Sequence, residues 1–471
     1  MSTTKLRQAV VRRIVAAGVW ESTSPVHLGG DAQFESNADM AIARDQRGRF
    51  YIPGASLAGA ARSYLARAAA QSHSDYAQGN EEKALFALFG RKMREKDKKE
   101  AAYASLVTFD EGQWLSSAGL YVRDGVKIDP KSGNATKKGK YNLEVLPAGT
   151  RFQLRLQLAL YSQLPHDVAS DEALKWFRWI LDSFGPNGVK LGGKTRKGFG
   201  DGHVAEWDIR EFDFSDRAHA LDWLRAKGAP GGRKLQADEL AKAPLPEVRY
   251  RLTINASFRI RTSLLVRGPS GEINSPDATH FTENKKKLLP GTSLGGVFRH
   301  RLEMIANTLG MDGVKVGRSL FGTANEVGFD DAGGRVYFKE SLLEQGNTRV
   351  QSRVSIDRFS GGAQESRLFD EAPYWGGTAM GPHLKTAIVI DNPKPLERRL
   401  LFAAFRDLWL GDIPVGGESG IGRGIVEGLE ARFQEYGRAD MTWRCDAGVP
   451  DTVVIEGAAA WADDLGEVAN V

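Results

Sequence analysis

Hydrophobic and polar positions along the chain predict the same series of elements twice. Alternation in RLTINASFRIR (251–261) predicts a half-buried strand, and VRRIVAAGVW (11–20) opens the first half as its counterpart. Each opening segment leads to a Pro-Gly turn and a helix, for which Ser56 and Ser293 are the predicted N-caps. Amphipathic helices return late in both halves. Because strands and helices interleave without a strict β-α-β-α alternation, the pattern favours an α+β fold with helices on an antiparallel sheet.

The chain also repeats itself in sequence, as a duplicated domain of roughly 200 residues per copy. Four motif pairs recur in the same order at offsets of 237, 232, 228 and 224 residues. A Gly-, Pro- and charge-rich stretch separates the copies. We therefore predict a first domain over 1–226, a linker over 227–247, a second domain over 248–434 and an acidic C-terminal extension over 435–471. The pairs are YIPGASLAGAAR (51–62) with LLPGTSLGGVFR (288–299), ALFG (87–90) with SLFG (319–322), VKIDPKSG (126–133) with VSIDRFSG (354–361), and LGGKTRKGFGDGHV (191–204) with VGGESGIGRGIVEG (415–428).

Composition narrows the classes further. The 471 residues carry a net charge of +5, and the single cysteine, Cys445, excludes a disulfide framework and a Cys-rich zinc site. No apolar run approaches the roughly 20 residues that cross a membrane. The charged N-terminus does not resemble a signal peptide, so we expect a cytoplasmic protein without membrane contact. The extension after Cys445 is acidic; it is either a solubilising tail or a docking element, with Trp443 and Trp461 favouring ordered packing.

Part of the glycine excess lies in two repeated loops. Glycine permits close backbone approach and positive φ, and neighbouring lysine and arginine suggest phosphate, although two purely structural turns are an equal alternative. Neither loop ends in the G-K-[ST] of a nucleotide-binding P-loop. The small residues that begin the two helices after the Pro-Gly turns could expose backbone N–H groups to anions. The candidate RNA-binding residues from these segments are Ser56, Arg62, Lys190, Lys194, Arg196, Lys197, Ser293, Arg299 and Arg423.

Taken together, these motifs resemble the RAMP superfamily, and most closely the backbone subunits of type III CRISPR effector complexes of the Csm and Cmr kind. Duplication then implies two such subunits fused in one chain, as in some type III-D complexes. The resemblance implies two tandem ferredoxin-like (RRM-like) domains with inserted β-hairpin thumbs. It also implies guide CRISPR RNA, complementary target RNA and other subunits of the complex as partners.

The resemblance further implies a cleavage aspartate on the loop before the IPG-x-SL motif. Asp39 lies 14 residues before Pro53, and Asp277 lies 13 before Pro290, so both are the candidate catalytic and metal-binding residues. A carboxylate can hold a hard cation such as Mg²⁺ or Mn²⁺ beside the RNA, while no zinc is expected. In the first loop Asp31 and Asp45 are rivals. The second loop lacks the Gly-Gly turn and could be inactive or use His280, with Lys285–Lys287 as further candidates.

Two segments read as the hairpins that the family uses as thumbs, which displace a base of the guide–target duplex at intervals. Their candidate residues are Lys131, Lys137, Lys138 and Arg358. Base displacement exposes the backbone locally, by a logic akin to base flipping.

Two alternatives to an RNA-guided endoribonuclease stay open. The chain could be a scaffold that binds RNA without cutting it. It could also be a metal-independent enzyme that processes guide RNA through His27, His280 or His300. A globular protein without RNA would show no salt-dependent RNA binding.

Overall fold

The structure is a computed structural model, and the part of the chain that it describes comprises several ranges. These are 9–30, 38–71, 80–90, 104–117, 119–128, 135–164, 168–225, 231–242, 251–268, 275–283, 285–322, 333–377, 381–445 and 453–465.

Two compact units form, and their composition differs from simple chain order. The first unit comprises 1–121, 144–193 and 199–248. The second comprises 122–143, 194–198 and 249–471, so the first predicted hairpin and the tip of the first glycine-rich loop belong to it.

The first half of the chain contains β1 to β9 and α1 to α5. They are β1 (Val10–Ser22), β2 (Tyr51–Ile52), α1 (Gly54–Gln71), α2 (Asn80–Phe89), β3 (Val107–Phe109), β4 (Gly112–Ser116), β5 (Tyr121–Ile128), β6 (Ala135–Val145), β7 (Arg151–Tyr161), α3 (Ser170–Ser183), β8 (Gly202–Asp213), α4 (Arg217–Arg225), β9 (Arg233–Leu235) and α5 (Ala237–Leu240).

The second half contains β10 to β25 and α6 to α9. They are β10 (Arg251–Ile260), β11 (Ser263–Leu264), β12 (Arg267–Gly268), β13 (Ala278–His280), β14 (Thr282–Glu283), β15 (Lys286–Leu289), α6 (Gly291–Thr308), α7 (Gly313–Phe321), β16 (Val336–Phe338), β17 (Ser341–Leu342), β18 (Gly346–Thr348), β19 (Gln351–Ile356), β20 (Ala363–Ala372), β21 (Tyr374–Gly376), β22 (Leu384–Asp391), α8 (Pro395–Leu410), β23 (Val426–Glu435), β24 (Met441–Cys445), β25 (Val453–Glu456) and α9 (Ala462–Leu465).

The first unit is built on an antiparallel sheet with the order β2-β4-β7-β1-β8-β9, in which β3 also pairs with β7. Strand β7 alternates strictly, with Phe152, Leu154 and Leu156 fully buried and the residues between them at least partly exposed. Helix α3 adds Trp176 and Phe177 to the same core. The succession of β1, α1, β3, β7, α3 and β8 is therefore β-α-β-β-α-β.

The second unit repeats this plan. Its sheet has the order β16-β22-β10-β23-β24-β25, again with antiparallel neighbours. The predicted alternation appears in β10, where Leu252, Ile254 and Phe258 are buried. Helices α6 and α8 contribute Phe298 and Phe402 to its core. The mixed architecture confirms the α+β class.

The two helices after the Pro-Gly turns begin earlier than predicted, so the N-cap assignments to Ser56 and Ser293 are wrong. Both serines lie in the first turn, and their N–H groups donate to the carbonyls of Pro53 and Pro290 at 2.9 and 3.0 Å. Glycine begins each helix because a Cβ there would overlap the carbonyl oxygen of Phe109 or Phe338.

The segment predicted as a linker carries ordered structure between residues 231 and 242. Strand β9 extends the first sheet beside β8, and Leu235 and Leu240 enter the first core. The composition of 227–247 therefore marks an edge strand and a short helix as well as a connection.

The described part of the C-terminal extension packs on the second unit. Strands β24 and β25 continue its sheet. The Trp461 side chain is fully buried, and its indole N–H donates to the carbonyl of Ala439 at 2.8 Å. Packing explains why tryptophans occur in an acidic segment.

Candidate nucleic-acid interface

The backbone places Asp39 and Asp277 at equivalent positions. In the first copy the N–H of Ala43 donates to the carbonyl of Leu28 at 2.7 Å, and in the second the N–H of Phe281 donates to that of Val266 at the same distance. Both residues of the second bond stand 238 positions after those of the first, which is also the separation of the two aspartates.

The second Gly of the first copy's Gly-Gly turn has a counterpart in the second copy. A Cβ at Gly30 would crowd the Cα of Ala43, and a Cβ at Gly268 would crowd the Cα of Phe281. The Arg-Gly sequence of the second copy thus retains the glycine that the close approach requires.

The Asp39 side chain is exposed at the start of the segment that returns toward the sheet. The next residue, Met40, accepts the N–H of Glu144 through its carbonyl at 2.9 Å. Glu144 is buried at the end of β6; it accepts the N–H of Ile42 and pairs with Arg44 at 3.1 Å. Asp39 is therefore one residue from the point where the loop joins the base of the first hairpin.

Asp277 has a matching environment. Its exposed carboxylate accepts the N–H of Asp370 through Oδ2 at 2.9 Å, and the following residue, Ala278, pairs with Glu371 of β20. Both aspartates thus lie where the loop meets the returning strand of a hairpin.

The oxygen donors at these positions suit a hard cation better than a soft one. Asp370 Oδ1, beside the Asp277 contact, is buried and lacks a hydrogen-bond donor within the described residues. That part of the chain contains no group of three His, Cys, Asp or Glu side chains placed to hold a metal. Mg²⁺ or Mn²⁺ would fit here only if water and RNA phosphate supplied most of the ligands.

The other acidic and basic candidates of the two loops have structural contacts. Asp45 accepts the N–H groups of Arg47 and Arg49, and the bond from Arg49 is the main cause that holds the pKa of Asp45 below its usual value. Lys287 donates to Thr282 at 2.7 Å, while Asp31 lies outside the described residues.

His280 is fully buried, and its ring serves the backbone. The Val266 N–H donates to Nδ1 at 3.2 Å, and Nε2 lies 3.0 Å from the Leu288 carbonyl, which fits the neutral Nε2–H tautomer. Burial lowers the pKa of His280 to about 4, against the opposing effect of its hydrogen bonds. His27 is also buried, with Nδ1 2.9 Å from the Glu144 carbonyl, whereas His300 is exposed.

The two glycine-rich loops have the same backbone conformation. Gly193 donates its N–H to the His27 carbonyl at 2.7 Å, and Gly417 donates to that of Leu265 at 2.7 Å. Lys194 and Glu418, which follow these glycines, both adopt positive φ, 59° and 64°. The glycines therefore serve the fold itself, as the structural alternative requires.

Several of the candidate RNA-binding cations are already paired. Lys190 lies 2.9 Å from Asp201, and Arg196 lies 3.1 Å from Asp391. Arg423 is 3% exposed and pairs with carboxylates, so its guanidinium does not face solvent. Arg62 and Ser56 are exposed on α1, and Ser293 is half-buried on α6.

Lys194, Lys197 and Arg299 instead form a group of like charges in the second unit. Partial burial, and then repulsion from Lys194 and Arg299, lower the pKa of Lys197. A Cβ at Gly291 would come 3.1 Å from the carbonyl of Lys197, so this group lies at the start of α6. The first turn of α6 holds no acidic residue. We call these three residues the cationic group.

The second hairpin ends in a turn that is held by Asp357. Its Oδ1 accepts the N–H groups of Phe359 and Ser360 at 2.9 and 2.8 Å. Arg358 is exposed, and Phe359 is 101% exposed at the tip. In the first hairpin Lys137 and Lys138 lie in β6, while Lys131 falls outside the described residues.

Sequence reasoning missed two sets of buried charges. Arg123 of β5 pairs with Glu283 and Glu340, and all three are buried. A second set surrounds Glu371 and Glu418. Neither has a local sequence signal, because the partners come from distant segments.

A family model provides the identification. The model of the RAMP superfamily matches residues 21–201 and 257–427, which is one region in each copy. The chain belongs to the RAMP superfamily, and the resemblance seen in its motifs is confirmed.

Among solved structures the chain is similar to one of a type III-B Cmr-beta complex, determined by cryo-EM in the apo state. The identity is 14%, the match covers 41% of this chain and 96% of that chain, and the TM-score is 0.32. A TM-score this low supports no conclusion by itself. No curated protein matches the chain. Among the described residues, no helix combines the length and the apolar character needed to cross a bilayer.

Proposed function

We propose that the chain is a double backbone subunit of a type III CRISPR effector complex, which binds guide RNA and cleaves paired target RNA at Asp39 and Asp277. The observation that carries the proposal is the equivalent placement of these two aspartates, each at the base of a hairpin, in a chain of the RAMP superfamily. The strand order in each unit supports a pair of ferredoxin-like, RRM-like domains with hairpin thumbs.

Guide RNA would bind through its phosphates at the cationic group. Lysines and an arginine of one sign repel one another at a helix start that itself favours anions, and an RNA phosphate would relieve that repulsion. Because phosphate contacts carry no sequence information, guides of any sequence would be accepted.

The second hairpin has the character of a thumb. Phe359 offers a fully exposed ring beside the Arg358 guanidinium, and aromatic stacking stabilises an unpaired base by about 1–3 kcal/mol. The Asp357 hydrogen bonds keep this tip in one shape, so that it would enter the duplex at a fixed distance from Asp277.

For cleavage, each loop aspartate would hold a cation beside the scissile phosphate. A bound Mg²⁺ or Mn²⁺ would stabilise charge on the reacting oxygens. The protein's part is to present an exposed carboxylate at a fixed place. At Asp277 the Asp370 N–H fixes Oδ2 and leaves Oδ1 for other contacts.

Replacing Lys194 and Lys197 by Ala tests the RNA-binding part of the proposal. We expect the full-length chain, freed of nucleic acid, to bind single-stranded RNA more weakly. The slope of log affinity against log salt should fall by about 0.7 for each lysine that contacts a phosphate. Lys385→Ala, an exposed lysine of the same unit, is the matched control. Equal slopes in the double variant and the control would contradict the assignment.

A further inference from the structure

Five charged side chains of the second unit form one network. Arg267, Arg353 and Arg423 each approach both Glu371 and Glu418. Measured from Arg267, Arg353 and Arg423 in turn, the N–O distances are 3.7, 3.4 and 3.0 Å to Glu371 and 3.2, 3.8 and 3.1 Å to Glu418.

The centre of the network is buried. The exposed fractions of the Glu371 and Arg423 side chains are 1% and 3%. Burial, together with the adjacent Glu418, raises the pKa of Glu371. Two carboxylates this close would repel one another without the arginines, so each cation is needed to keep both in place.

The network connects the hairpin, the glycine-rich loop and the segment of Asp277. Arg353 and Glu371 lie on the two paired strands β19 and β20, and Glu418 lies in the glycine-rich loop. Glu371 pairs with Ala278, the residue after Asp277. Asp370, the residue before Glu371, donates its N–H to the Asp277 carboxylate.

The first copy has different residues at the corresponding loop positions. Lys194 stands where the second copy has Glu418, and both have positive φ. Phe199, which is buried, stands where the second copy has Arg423, at the same offset of 224 residues. A lysine and a phenylalanine cannot reproduce the pairing of Glu418 and Arg423.

We propose that this network positions the Asp277 carboxylate, and does so for the second copy alone. The inference rests on the proposed function of Asp277. Distortion at Glu371 would pass directly to Asp370 and its bond to Asp277, because the two are adjacent on one strand. Asp39 would be unaffected, since its loop is tied to Glu144 instead.

Glu418→Gln and Arg423→Met test the inference in the guide-loaded complex, with end-labelled target RNA to map the cuts. We expect each variant to slow the cut that depends on Asp277 by about 10-fold or more, as for residues that orient a metal ligand. The cut that depends on Asp39 keeps its rate and reports that the chain is folded and loaded. The Mg²⁺ concentration for half-maximal rate should rise at the Asp277 cut only.

Conservative and matched variants complete the experiment. Arg423→Lys keeps one cation and should recover part of the rate, whereas Glu430→Gln, an exposed glutamate of the same unit, should change neither cut. If Glu418→Gln and Arg423→Met slow both cuts equally, or neither, the network has no positioning role. If Asp277→Ala removes no cut in the first place, the proposed function of Asp277 fails and takes this inference with it.

Discussion

Asp39→Ala and Asp277→Ala are each expected to remove one cut in a target RNA that is paired to the guide. The rate at the affected position should fall by at least about 100-fold, because loss of a metal ligand costs no less than loss of the groups around one. The other position should keep its rate, since the two carboxylates belong to separate loops.

The physical reason is that each loop presents a single exposed carboxylate at the hairpin base. The described residues hold no third acidic or histidine ligand that could take over. Asn at either position keeps the size of the side chain and one oxygen, so Asp→Asn should also be impaired, though it should still bind RNA.

Asp45→Ala is the matched control in the first loop, because Asp45 caps a turn through Arg47 and Arg49. Mapping cut positions with labelled RNA, for the single and double variants, provides the measurement. A double variant that still cuts at both positions would leave the scaffold alternative, in which the chain binds RNA without cleaving it. EDTA-resistant cleavage of repeat RNA would favour guide processing instead.

Arg123→Ala is expected to destabilise the second unit by about 3–5 kcal/mol, the cost of removing one partner from a buried ion pair. The Arg123 side chain is 6% exposed and pairs with both Glu283 and Glu340; its guanidinium also lies 4.9 Å from the centre of the Phe281 ring. Burial already raises the pKa of Glu340, and without the arginine that carboxylate would have no compensating charge.

Urea unfolding of the full-length chain, followed by tryptophan fluorescence, measures this effect. The deficit should narrow as the pH falls, because protonated Glu340 no longer needs a cation and its raised folded pKa favours protonation. Adding Glu283→Gln and Glu340→Gln to Arg123→Met should recover stability. Arg358→Ala, on the exposed hairpin turn, is the control. Equal stability of Arg123→Ala and Arg358→Ala would show that the buried pairs contribute nothing net.

The sequence alone predicted the elements that repeat a local pattern. Alternation located β10, and amphipathic spacing located α3 and α8. Motif offsets identified the duplication that the family match shows in both copies. They also singled out Asp39 and Asp277, whose equivalent backbone positions the structure then supplied.

Features that depend on distant partners could not be predicted. Arg123 is separated from Glu283 by 160 residues and from Glu340 by 217, and nothing in its surrounding sequence indicates either carboxylate. Arg423 looked available for RNA because a glycine-rich loop usually faces a ligand, yet its position turns it inward. The helix starts were missed because the carbonyls of Phe109 and Phe338, which demand glycine, come from other strands.

The central claim is that this chain holds guide RNA, and the nucleic acid that co-purifies with the full-length protein tests it most directly. After extraction, sizing and sequencing, we predict RNA of defined length in which a constant repeat-derived segment is joined to a variable guide. Recovery of no nucleic acid, of DNA, or of RNA without a shared constant segment would contradict the account.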